Sequence, residues 1–355
     1  MMNRFFTGVF FLFVLGFAAG CKKDDDDSDY LTGDWTRMAD YVGVARNGAV
    51  AFLINDTAFV GTGVTNTGTS TVARRVGDFM KYNPGTDDWY NIASLPEGTE
   101  RTYATAFSIN GKGYVGLGTS DGNTALRDFW EYNPKNNSWR QVASLPAAAS
   151  ARYGAVGFSI NGKGYIGCGS DGSNDLNDFW EYTPGTGSSL GTWSQVASIK
   201  SKRQFPFVFV IGNKAYVGGG YNNSAAEKSF YSFDPSANTW TRLHSLNPDN
   251  DSEETDDIKN NDDYNYNLSR KTAVAFTING YGYLTTGNNG SPLNTTWQYN
   301  PGKDIWEQVD TFEGTSREMA VGFAIGSCGY VTTGTTGSTR LYDTWRFDPN
   351  GSDDD

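Results

Sequence analysis

The chain has one histidine and three cysteines among 355 residues, and each scarcity removes a class of chemistry. A lone His244 cannot supply the histidine sets of mononuclear copper or catalytic zinc sites. Three cysteines do not form a disulfide framework. Cys21 falls in a leader, while Cys168 and Cys328 fall in separate repeats and read as small thiols in strands. Basic residues are also in deficit, 28 Lys and Arg against 40 Asp and Glu, for a net charge of −12. That balance excludes general nucleic-acid binding, which needs a basic face to release counterions. No GxSxG elbow, HExxH motif or glycine-rich phosphate loop occurs in the repeats. Neither a metal nor a cofactor is expected.

The long apolar run, Phe5–Phe17, is too short for a comfortable membrane span and ends in small residues. With Arg4 before it, residues 1–20 read as a secretion signal. Ala18-Ala19-Gly20-Cys21 resembles the lipobox of bacterial lipoproteins, which implies acylation of Cys21. The following KKDDDDSD, within a tether at 21–30, resembles the acidic tag of lipoproteins exported to the outer face of the outer membrane. The expectation is a surface-exposed outer-membrane lipoprotein, with a periplasm-facing anchor as the alternative. It touches the membrane through its lipid anchor only.

What the chain has in abundance is Gly, Tyr, Phe, Thr and Trp, in strand-sized segments bounded by turn residues. The text from Arg101 to Pro146 returns almost unchanged from Arg152 to Ile199, with looser copies starting at Arg46, Arg203, Arg270 and Arg317. A repeat of about fifty residues with several short strands indicates a propeller blade. In the second copy, Tyr103–Ile109 reads as strand a and Gly113–Gly118 as b. Asp128–Tyr132 follows as c and Trp139–Leu145 as d.

The glycines closing strand b, the aromatic of strand c and the tryptophan opening strand d resemble the kelch repeat. The resemblance runs from Asp34 to Pro349 and implies an all-β fold, a six-bladed propeller over residues 31–350. The sixth copy lacks a d-strand tryptophan, and Trp35 stands alone near the start. The N-terminal strand is therefore expected to complete the last blade and remove two open edges. An acidic insertion, 248–267, reads as a solvated, disordered loop rather than a calcium site, because it lacks an EF-hand's glycine and terminal glutamate. Residues 351–355 read as a tail.

An arginine stands six residues before the strand-a aromatic in every copy: Arg46, Arg101, Arg152, Arg203, Arg270 and Arg317. These are expected to ring one channel mouth on the loop-rich face and to bind an anionic ligand. Tyr103, Tyr153 and Tyr221 would serve as ring platforms beside them, with Tyr41 and Phe205 nearby. The competing reading pairs each arginine with the aspartate that opens strand c (Asp78, Asp128, Asp178 and Asp343). Arg203 and Arg270 face Ser229 and Thr295 instead, so they are the two expected to meet a ligand.

The preferred function is a surface-anchored binding module for a glycan or protein partner, without chemistry of its own. Galactose oxidase shares the propeller, but its copper chemistry needs histidines absent here. The resemblance extends to the bacterial N-acetylneuraminate epimerases, which implies the alternative: a mutarotase acting on an acidic sugar such as sialic acid. Glu100 and Glu318 are its acid/base candidates. A second alternative is a scaffold subunit of an outer-membrane assembly.

Overall fold

A computed structural model describes residues 32–66, 73–120 and 123–351. The expected signal, the lipidation at Cys21, the tether and most of the tail lie outside the described residues. Six four-stranded antiparallel sheets follow one another as blades. Their inner strands are Val50–Ile54, Thr105–Ile109, Val156–Ile160, Phe207–Ile211, Val274–Ile278 and Val321–Ile325. Strand d of the sixth blade is Asp34–Met38, paired with Thr344–Asp348 in the register Trp35↔Phe347. Closure by the N-terminal strand is thus as expected.

Residue size explains how the blades stack. The second residue of each strand b is Gly or Ala, because the strand-a phenylalanine of the preceding blade lies against it. A Cβ at Gly113 would sit 2.1 Å from the Phe52 ring, and one at Gly164 would sit 2.3 Å from Phe107. The glycine closing strand b makes room for the strand-c aromatic, as at Gly116 and Phe129, where a Cβ would come within 2.4 Å. Blades 5 and 6 lack that glycine and have Thr in place of the phenylalanine that opens strand c. Thr285 meets Thr296 at 3.0 Å and Thr332 meets Thr344 at 3.1 Å, so a hydroxyl pair replaces the glycine–phenylalanine fit.

On the outside, the strand-d tryptophan clasps the previous blade. The indole N–H of Trp139 donates to the Ala93 carbonyl, Trp193 to Ala143 and Trp240 to Ala197, each at 2.8 Å. Blade 5 breaks the series, since the Trp306 indole nitrogen is buried without a partner among the described residues.

Two sequence expectations are corrected. The acidic insertion is folded into short helical turns, 248–250, 256–259 and 262–264. Its Asp251 is buried against Arg242 at 2.7 Å, and Glu254 accepts from the Ser245 N–H at 2.8 Å. Clustered carboxylates stay ordered here because blade 4 supplies donors; no metal-ligand cluster occurs among the described residues. Cys168 lies just past its strand b, fully buried, in a left-handed conformation at φ +60°. Burial pushes its thiol up to about 12, so it is inert.

Candidate functional site

The six arginines do not ring an open mouth. All are buried, between 0 and 2% exposed. Four form two-pronged pairs with the aspartate that opens strand c. Arg46 meets Asp78 at 2.8 and 2.6 Å, Arg101 meets Asp128 at 3.0 and 2.7 Å, Arg152 meets Asp178 at 2.8 and 2.7 Å, and Arg317 meets Asp343 at 2.8 and 2.6 Å. Burial alone raises such a carboxyl. The guanidinium hydrogen bonds and charge outweigh it and hold Asp128, Asp178 and Asp343 below the usual range.

Arg203 and Arg270, expected to face a ligand, are equally committed. Arg203 donates to the Ser229 hydroxyl at 2.6 Å and the Ser229 carbonyl at 3.0 Å; Arg270 donates to Thr295 Oγ1 at 3.1 Å. Each guanidinium also reaches the residue after strand b, as Arg152 does to the Cys168 carbonyl at 3.2 Å. The arginine therefore ties the end of strand b to the start of strand c, a task every blade needs, which is why it recurs. Burial pulls Arg270, which has no carboxylate partner, down to about 10.

The mouth is built by the two residues after each arginine. The second of them adopts left-handed backbone in all six blades: Gly48, Tyr103, Gly154, Phe205, Thr272 and Met319, with φ between +53° and +61°. Their peptide groups close a hydrogen-bonded ring. Gly48 N–H donates to the Met319 carbonyl (3.0 Å), Tyr103 to Gly48 (3.0 Å), Gly154 to Tyr103 (3.0 Å), Phe205 to Gly154 (2.8 Å), Thr272 to Phe205 (3.2 Å) and Met319 to Thr272 (3.1 Å). A second interblade ring surrounds it, in which the left-handed glycine after strand b donates to the next blade's arginine carbonyl at 2.8 to 2.9 Å, as Gly63 does to Arg101. Four non-glycine residues held left-handed store strain of about 1–2 kcal/mol each, which the rings hold in place.

This geometry turns three large side chains over the channel axis. Tyr103 packs on Phe205 edge to face, centroids 5.2 Å apart, and its Oη lies 3.7 Å from Met319 Sδ. Glycines between them are required: a Cβ at Gly48 would sit 2.8 Å from the Tyr103 ring, and one at Gly154 2.8 Å from Phe205. Tyr153 completes the aromatic floor, 6.1 Å from Phe205. A space of about 110 Å³ is lined by the floor residues themselves, and spaces of about 220 and 510 Å³ along the channel are lined mainly by the inner strands.

Directly after the arginines come Asn47, Thr102, Tyr153, Gln204, Lys271 and Glu318, each bridged to the segment following strand b of its own blade. Glu318 is the only carboxylate of this set and accepts from Thr272 Oγ1 at 3.2 Å. Three cations stand on the same face, on blades 5, 1 and 6. Lys271 lies over the Tyr221 ring at 4.4 Å. Arg75 and Arg340, on hairpins of blades 1 and 6, hydrogen-bond Asn123 and Asn66 and act on the Tyr103 phenol together with Glu318. Burial, the largest influence, raises that phenol above its ordinary value.

Of the residues expected at the site, Tyr103, Tyr153, Phe205, Tyr221 and Glu318 are therefore brought to one mouth. Tyr41 is buried beside Trp89, away from it. Glu100 lines a separate cavity over blade 1. His244 packs on Tyr264 of the insertion. Lys271, Gln204, Arg75 and Arg340 were not anticipated. The residue after each repeat arginine changes in every copy inside an otherwise repeated frame, and that was the available signal.

The family model described as the KLHDC2/KLHL20/DRC7 Kelch-repeats domain matches residues 97–255. These are kelch repeats. The kelch propeller is also similar to a solved structure titled "Structure of YjhT", with a TM-score of 0.65 over 86% of this chain and 95% of that one, at 18% identity. A curated relative, N-acetylneuraminate epimerase of Yersinia enterocolitica, is 32% identical over 87 residues. That match spans 24% of this kelch chain and 22% of the relative.

Proposed function

We propose that this kelch propeller binds an acidic sugar of the N-acetylneuraminate class at the closed mouth and interconverts its anomers. One observation carries the reading: Glu318 is the only carboxylate among the six residues that follow the arginines, it accepts from Thr272 next to Lys271, and it acts with Arg75 and Arg340 on Tyr103 of the aromatic floor. Anomer exchange needs little machinery. A base takes the anomeric hydroxyl proton, the ring C–O bond breaks, and the ring oxygen gains a proton; the steps reverse after rotation. Glu318 serves as the base. Tyr103, its phenol kept protonated by burial, or the Lys271 ammonium returns the proton. Guanidinium and ammonium groups hold the sugar carboxylate. The partial match to an N-acetylneuraminate epimerase supports the same reading. The lipid anchor proposed at Cys21 would present this mouth on the outer membrane.

Exchange NMR of N-acetylneuraminate with catalytic amounts of protein tests the proposal. Faster interconversion of the anomeric signals than in buffer is expected. Saturable binding without faster exchange would leave a binding module; neither would remove the sugar reading.

A further inference from the structure

The mouth does not stand alone on its face. A cavity of about 650 Å³ opens over blade 1, lined by Val44, Arg74, Arg75, Leu95, Glu97 and Glu100 among others. Its size suits a sugar unit with room around it. The cavity adjoins the mouth: Arg75 and Val76 line it, and Val76 is bridged to Arg101, two residues before Tyr103. Arg74 is exposed and makes no ion pair or hydrogen bond among the described residues. The other cavity carboxylate, Asp78, is already taken by Arg46. Val44, which lines the cavity, is 50% exposed; on the same segment Val42 is 56% exposed, and the Tyr41 N–H donates at 2.7 Å to the carbonyl of Tyr342, itself 50% exposed. An aromatic and apolar rim next to a charged hollow is the surface a second sugar ring uses.

We propose that the cavity over blade 1 is a second subsite and that the ligand is a short oligomer of the acidic sugar. Its reducing end sits at the mouth, and the carboxylate of the next unit meets Arg74. Arg75 stands between the two units. Glu97 and Glu100 accept hydroxyls of the outer ring, and Glu100 carries out no chemistry. The inference rests on the sugar reading above and extends it from a monosaccharide to a chain.

Calorimetry with the full chain tests it, using N-acetylneuraminate and its α2,8-linked dimer as probes, on the wild type and on Arg74→Ala. Arg74 is exposed, so its loss leaves the fold intact. The dimer is expected to bind about tenfold tighter than the monomer, as one added charge-assisted contact allows. Arg74→Ala is expected to erase that advantage and leave monomer binding unchanged. Equal affinity for monomer and dimer overturns the subsite while the sugar reading stands. A dimer advantage that survives Arg74→Ala also overturns it. Binding of neither probe overturns both.

Discussion

Arg152→Ala is expected to lose about 3 kcal/mol of folding stability at neutral pH. The guanidinium is fully buried, and its removal leaves Asp178 facing a void with its charge unpaired. The figure sits at the low end of the range for a broken buried pair because the Asp178 side chain keeps 22% exposure and its bond from the Trp180 indole. Denaturant titration reads the loss. Adding Asp178→Asn should recover part of it, since the stranded charge disappears. The pH dependence has a definite sign. Asp178 is held below its ordinary value in the folded state, so the pair's contribution is present above that ordinary value and is lost as pH falls through the lower, folded one. The gap between wild type and variant should therefore close below about pH 4. A small loss, with sugar binding abolished instead, would return the arginine to ligand duty.

Glu318→Gln is expected to slow catalysed anomer exchange by about a hundredfold or more, the usual contribution of a positioned base. The amide keeps the shape and can still accept from Thr272 Oγ1, so folding and sugar affinity should change little. Exchange NMR and calorimetry on the same sample separate the two effects. Full activity in Glu318→Gln would place the base elsewhere. Loss of affinity with normal turnover at saturation would make Glu318 a binding residue.

Both expectations turn on what repetition reveals. A feature that serves the blade recurs, so the strands, the recurring glycines and tryptophans and closure through Trp35 could be read from spacing, though not what those glycines and tryptophans touch. The arginines recurred for the same reason, and their regularity suggested a ring of ligand contacts. The pairing with strand-c aspartates was visible as an alternative. What was not visible is that Ser229 and Thr295 also occupy Arg203 and Arg270, through a hydroxyl and a backbone carbonyl.

The mouth was harder to read because its residues do not repeat. Tyr103, Phe205 and Met319 acquire their roles from a left-handed backbone ring that no side-chain pattern announces. Arg75 and Arg340 sit on hairpins whose length and sequence differ from blade to blade. The insertion misled for a related reason. Its acidic composition resembles disorder, yet Arg242 and the Ser245 N–H of the preceding blade, with Lys200 from farther back, give Asp251, Glu253 and Glu254 partners that composition does not reveal.

The most direct test of this account is a crystal of the protein soaked with N-acetylneuraminate. The account predicts density for the sugar on the Tyr103–Phe205 floor. Its carboxylate should lie within hydrogen-bond reach of Arg340, Arg75 or Lys271, and its anomeric carbon should face Glu318. Density confined to another surface, with the mouth empty at saturating sugar, would contradict it.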